Sequence, residues 1–151
     1  MAQSLAKIYV HIVFSTKNRH PFLLDKAVRT EMHAYLGGTC NELGCSVIAV
    51  GGIADHVHLL CVLSKNLAAA DLIGEIKRSS SKWVKSKGRM LSKFAWQAGY
   101  GVFSVSQSQV ETVRSYIGKQ EEHHRKKSFQ DEFRLFLKKY QIEYDERYVW
   151  D

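Results

Sequence analysis

The chain has 151 residues, 45% of them apolar and 25% charged, with one proline, which are the proportions of a single globular domain and not of a disordered tail. Its three cysteines, Cys40, Cys45 and Cys61, form no Cys-x-x-Cys pair and argue against a disulfide framework or a zinc knuckle, and no apolar run approaches the roughly 20 residues of a membrane span, so the chain reads as cytoplasmic, with no membrane partner. With 22 Lys+Arg against 15 Asp+Glu, the formal charge of +7 favours a polyanionic partner.

Residues 8–15, IYVHIVFS, are rich in β-branched and aromatic types and are broken by Lys17-Asn18-Arg19-His20-Pro21, which predicts a strand followed by a loop. Asp25 can cap a helix running to about residue 43, with Val28, Met32, Tyr35 and Leu36 at helical spacing. Residues 45–51 and 56–63 lie either side of Gly52-Ile53-Ala54-Asp55 and predict an antiparallel hairpin. Asn66 is the expected cap of a second helix over 67–86, which turns Leu67, Ala70, Ile73 and Ile76 to one side. YGVFSV at 100–105 predicts a fourth strand. A third helix is expected from 110 to about 126 and a last one from 129 to 140, before an aromatic tail that packs on the body or on a second copy.

The order β-α-β-β-α-β predicts an α+β, ferredoxin-like fold, an antiparallel sheet with helices on one face, to which the C-terminal helices are an appendage. One domain over 1–151 divides into a core to about 107, the third helix at about 108–126, and the last helix and tail at about 127–151. Between Lys77 and Lys93 the chain carries Lys77, Arg78, Lys82, Lys85, Lys87, Arg89 and Lys93 and no acidic residue. That stretch is either a solvated helix face or a track for phosphates, the second reading gaining from Trp83, Phe94 and Trp96 within or beside it. Lys17 and Arg19, in the loop after the first strand, are further candidates for phosphate contact.

His56 and His58 flank one apolar residue in a predicted strand, so both imidazoles point to the same face and can share a divalent ion, with Asp55 beside them. The same spacing also fits two ordinary surface histidines. Tyr116 and Gln120, four apart, share a helical face at the edge of the stripe formed by Val110, Val113 and Ile117. A phenol can act as a covalent nucleophile and an amide carbonyl is a hard oxygen ligand; read alone, the pair is a packing tyrosine and a solvated glutamine. His123 and His124 read as a surface pair at a helix end, and His11 as a hydrogen-bonded core histidine.

Four segments, YVHIVFSTKNRHPF (9–22), GGIADHVHLL (51–60), WQAGYGVFSVS (96–106) and SYIGKQEEHH (115–124), resemble the HUH-class single-tyrosine transposases of small bacterial and archaeal insertion sequences, the TnpA type. The resemblance spans nearly the whole chain in family order. It implies a DNA-associated enzyme in which His56, His58 and Gln120 bind Mg²⁺ or Mn²⁺ and Tyr116 attacks a phosphodiester of single-stranded DNA, leaving a 5′-phosphotyrosine and a free 3′-OH. It also implies a homodimer with sheets joined edge to edge, and a substrate of subterminal hairpins with single-stranded flanks. Lys17, Arg19, Lys77, Arg78, Lys82, Lys85 and Arg89 are the candidate DNA contacts. Two rivals remain: a non-catalytic single-stranded nucleic-acid-binding domain, and a domesticated transposase acting on repeated palindromes.

Overall fold

The computed structural model describes residues 2–151. Strands β1 (Tyr9–Ser15), β2 (Val47–Ile53), β3 (His56–Val62) and β4 (Gly101–Val105) alternate with helices α1 (Lys26–Glu42) and α2 (Ala69–Lys85) in the expected order. The sheet runs β2-β3-β1-β4 with every pairing antiparallel, the α+β split arrangement read from the sequence. Helices α3 (Val110–Gly118), α4 (Gln120–His123) and α5 (Phe129–Lys139) follow. No helix among the described residues is long and apolar enough to cross a membrane, and Cys40, Cys45 and Cys61 are buried free thiols.

Alternation along the two central strands produces two different faces. Val10, Ile12 and Phe14 of β1 and Val57, Leu59 and Cys61 of β3 meet Met32 and Leu36 of α1 and Leu72, Ile73 and Ile76 of α2 in the main core. The opposite face carries Tyr9, His11 and Val13 against His56, His58 and Leu60. There α3 covers Tyr9 and Leu60 with Val110 and Ile117, and α5 covers Val13 and Phe103 with Phe129, Phe133 and Leu137. The core helices share one face, as expected. The C-terminal helices are not an appendage, because without them this second apolar face would stand in water.

Three local expectations change. Helix α2 starts behind Ala68, which offers no side-chain cap, so Asn66 does not cap it; the Asn66 backbone N–H instead donates to Ser64 Oγ at 3.2 Å. The helix expected over 110–126 breaks at Lys119 (φ −108°, ψ 23°) and its second piece ends at His123. The rings beside the basic stretch are committed to packing: Trp83 stacks on Tyr35 at 4.8 Å, and Phe94 and Trp96 meet edge to face at 4.7 Å inside the main core. The aromatic tail folds onto the body, where Val149 and Trp150 join Phe129 and Phe133 and the Gly99 N–H donates to Asp151 O at 2.8 Å.

Candidate active site

His56 and His58 leave β3 on the same side, and both are fully buried. Each ring is fixed from behind. The His56 Nδ1–H donates to Asp55 Oδ1 at 2.7 Å, and His58 Nδ1 lies 2.8 Å from His11 Nε2. Both Nε2 atoms therefore face a common space, the orientation that outer partners impose on metal-ligating imidazoles. His11 is the hydrogen-bonded core histidine expected.

Helices α3 and α4 bring the second half. A Cβ on Gly51 of β2 would collide with the Ile117 carbonyl and stand 2.9 Å from Ile117 Cγ2, so α3 rides directly on the strand at a place where only glycine fits. That approach aims the residues around Ile117 at the histidines. Gln120 is buried with Oε1 3.0 Å from His56 Nε2, and the Tyr116 ring centroid lies 5.8 Å from that of His58. The break at Lys119 does not separate the pair, since Gln120 Nε2 still reaches Tyr116 O at 3.5 Å. The tyrosine helix thus meets the histidines of its own chain.

Helix α5 supplies a residue that sequence reasoning missed. Glu132 is 2% exposed. Its Oε1 lies 2.8 Å from His58 Nε2 and 3.5 Å from His56 Nε2. Its Oε2 accepts the Tyr116 hydroxyl and lies 3.3 Å from Gln120 Nε2 and 3.2 Å from His124 Nε2. The available signal was an acid on an apolar stripe, three after Phe129 and four before Phe136. His124, read as a surface residue, turns inward with Nε2 3.1 Å from Gln120 Oε1, because the break at Lys119 shifts the helical phase behind it. His123 stacks on the Tyr116 ring at 4.5 Å.

The electrostatics follow from burial around one carboxylate. Burial lowers the His58 pKa to about 4 although the hydrogen bond and charge of Glu132 pull it upward, and burial with the neighbouring His58 lowers His11 to about 3. For Glu132, burial disfavours the charge, but hydrogen bonds from His124 and His58 outweigh it and hold the carboxyl well below the usual range. Burial and the bond to that carboxylate push the Tyr116 phenol above its ordinary value. Burial opposes a charge on His124, yet Glu132 prevails and raises it. With Nδ1 against Asp55, His56 turns Nε2 toward the carbonyl oxygen of Gln120 at 3.0 Å. One ligand atom each from His56, His58, His124 and Glu132 lies within 4.8 Å of the others, so the buried cluster is able to hold a metal.

The basic candidates do not join this cluster. Helix α2 lies across the sheet from the histidines. Lys77 turns inward and donates to the carbonyls of Gln97 at 2.8 Å and Gly99 at 2.6 Å. Arg78 pairs with Glu75 at 2.6 Å, while Lys82, Lys85 and Arg89 are exposed on that far side. Arg19 donates to Trp150 O at 3.1 Å, and Lys17 is exposed just beyond the end of β1 that pairs with His56. Beside the site, a cavity of about 580 Å³ opens between α3, α5 and β4, with Tyr116, Glu132 and Phe136 in its wall and Lys127 and Lys139 also lining it.

Residues 4–120 match the profile of the family described as "Transposase IS200 like". The chain belongs to this family of transposases. It is 24% identical over 115 residues to the ISDra2 transposase TnpA of Deinococcus radiodurans, covering 73% of this chain and 81% of that one. Two solved structures share its fold. A candidate transposase from Deinococcus radiodurans aligns with a TM-score of 0.61 at 23% identity, over 80% of this chain and 95% of that chain. A REP-associated tyrosine transposase bound to a REP hairpin aligns with a TM-score of 0.60 at 15% identity, over 82% and 73%. The family match ends at Gln120, so His124 and Glu132 lie beyond it.

Proposed function

We propose that the chain cleaves and rejoins single-stranded DNA at the hairpin-bearing ends of an insertion sequence through a covalent tyrosine intermediate. The observation that carries this reading is the meeting of the Tyr116 hydroxyl, the Nε2 atoms of His56 and His58 and the Gln120 carbonyl in one buried cluster beside a cavity, in a chain of the IS200-like family. At rest the phenol keeps its proton, because burial and the ionised Glu132 both disfavour a second negative charge. The hydroxyl already donates to Glu132 Oε2, which is the acceptor of that proton as the phenol oxygen attacks phosphorus. The O–P bond to Tyr116 forms, the bond to the 3′ oxygen breaks, and that oxygen leaves with the electron pair and takes up a proton as a free 3′-OH. Rejoining runs the same transfers in reverse, with a 3′-OH attacking the phosphotyrosine and the proton returning to Tyr116.

In this reading His56, His58 and Gln120 hold Mg²⁺ or Mn²⁺, which supplies charge neutralisation at the phosphoryl oxygens. Lys127 and Lys139 line the cavity through which the single strand reaches Tyr116, and Lys17 stands at the His56 end of the sheet. Lys82, Lys85 and Arg89 form a separate basic surface for the phosphates of a hairpin stem. Homodimerisation belongs to the same reading and is supported by the family resemblance. A second reading, the same chemistry on dispersed palindromes, is favoured by the likeness to the REP-associated transposase.

The test incubates wild type and Tyr116→Phe with Mg²⁺ or Mn²⁺ and labelled hairpin DNAs, followed by a denaturing gel. Wild type is expected to give a protein-linked band and Tyr116→Phe none, with DNA binding retained in both. A band that survives in Tyr116→Phe, or cleavage that survives excess EDTA, refutes the assignment. Salt-sensitive binding without any band in wild type would make the chain a binding domain.

A further inference from the structure

We propose that Glu132 and His124 are further ligands of the divalent ion, joining His56, His58 and Gln120 in a centre of three imidazoles, one carboxylate and one amide oxygen that takes Mn²⁺ in preference to Mg²⁺. The inference rests on the reading above that the cluster holds a metal. Its residues lie outside the segment that the family profile matches, and only the folding of the 120–124 turn and α5 onto the sheet brings them in.

The three imidazoles share one construction. In each, Nδ1 is occupied from behind: by Asp55 Oδ1 at 2.7 Å for His56, by His11 Nε2 at 2.8 Å for His58 and by Lys127 O at 2.6 Å for His124. In each, Nε2 is left facing the Glu132 carboxylate, at 3.5, 2.8 and 3.2 Å respectively. An outer hydrogen bond that fixes ring and tautomer is the usual support of a ligating histidine. Two of these rings would be expected of the His-x-His strand; a third with the same support, arriving from a different element, marks His124 as belonging to the set. Ligands bonded at about 2.0–2.2 Å stand roughly 3 Å from one another. Each Nε2 already stands 2.8–3.5 Å from the Glu132 carboxylate and the four ligand atoms lie within 4.8 Å of one another, so an ion enters by drawing the imidazoles inward around the carboxylate.

The donor chemistry sets the preference. Mg²⁺ demands hard oxygen ligands and retains waters, whereas imidazole nitrogen suits first-row transition ions and carboxylate suits Mn²⁺. Glu132 also gives the centre a mechanical link to the reacting atom: Oε1 faces the imidazoles of β3 while Oε2 holds the Tyr116 hydroxyl. One side chain thereby sets the spacing between ion and nucleophile.

The test titrates the full chain, stripped with EDTA and dialysed, with MnCl₂ and with MgCl₂ by calorimetry, and follows bound Mn²⁺ by electron paramagnetic resonance. Wild type is expected to bind one Mn²⁺ at least about tenfold more tightly than Mg²⁺. Glu132→Gln, which keeps the side chain's shape, and His124→Ala are each expected to weaken Mn²⁺ binding by on the order of 100-fold, at or beyond the upper end for loss of an outer partner. Far-UV circular dichroism reports whether each variant is folded, and either folded variant suffices. Unchanged or tighter Mn²⁺ binding in a folded Glu132→Gln or His124→Ala protein overturns the proposal, as does equal affinity for Mg²⁺ in wild type. Metal binding with this pattern but no DNA adduct from wild type would refute the transferase reading alone; an adduct from wild type together with undiminished Mn²⁺ affinity in folded His124→Ala would refute this one alone.

Discussion

Gly51 and Glu132 place the candidate site by opposite means, one by having no side chain and one by burying a charge. Gly51 lets α3 lie on β2, and any Cβ there meets the Ile117 backbone. Gly51→Ala is therefore expected to lift α3, lowering stability by about 1–3 kcal/mol as overpacking does and reducing the yield of DNA adduct. Urea unfolding and the adduct gel measure both; an unchanged midpoint and yield would show that the helix does not sit on the strand. His56 and His58 were legible as a pair because the two-residue period of a strand is local. Glu132 was not, since its partners lie 8 to 76 positions away, at His124 and His56, and its place on the apolar stripe of its helix marks it as inward-facing without naming what it would meet. Lys77 shows the reverse situation: its place in the basic stretch marks it as a candidate phosphate contact, while in the fold its ammonium donates to the backbone carbonyls of 97–99.

At the scale of elements, α5 turns the second face of the sheet into an enclosed site. Ser128 Oγ accepts the Asp131 N–H at 3.1 Å and starts the helix, whose Phe129, Phe133 and Leu137 are buried. Phe133 seats on Gly101, where a Cβ would stand 2.6 Å from its ring. Phe133→Ala is expected to cost about 3–5 kcal/mol, the range for deleting a buried phenylalanine, read as a lower midpoint in chemical denaturation. A loss below about 1 kcal/mol would mean that α5 is not packed on β4 in solution. The pattern of α5 was visible as an amphipathic helix, but not the face it would cover. The Lys119 break was hidden for a different reason: residues 110–126 contain no proline and keep helical spacing, and the interruption comes from packing α3 on β2 while α4 turns toward the histidines.

For the whole molecule, sidedness decides what each patch can do. The sheet separates the exposed lysines of α2 from the histidine face, so the basic stretch of 77–93 does not line the candidate site, whose cavity takes Lys127 and Lys139 instead. The same sidedness buries histidines in neutral form. Burial lowers His11 to about 3 and His33 and His58 to about 4, from 6.5. Between pH 6.5 and about 4 the unfolded chain binds protons at these positions that the folded chain refuses. Stability therefore falls as pH drops through that window, by about 1.4 kcal/mol per pH unit for each such proton. His124, whose pKa is raised, contributes stability below 6.5 that is lost as pH rises through its folded value, and opposes the other three. The metal-free protein is accordingly expected to show a lower Tm at pH 4.5 than at pH 6.5; equal values would contradict the burial of neutral His11 and His58.

The amino-acid sequence by itself determined the strands, the order of elements, the α+β class, the shared face of His56 and His58 and the helical proximity of Tyr116 and Gln120. Each depends on side-chain period or turn chemistry within a few residues. Only the tertiary structure decided that α3 and α5 close the second face of the sheet, that Glu132 and His124 enter the cluster, that Lys77 turns inward and that the remaining basic stretch lies across the sheet. Those outcomes depend on which apolar surface each helix covers, and burial is a property of the assembled chain.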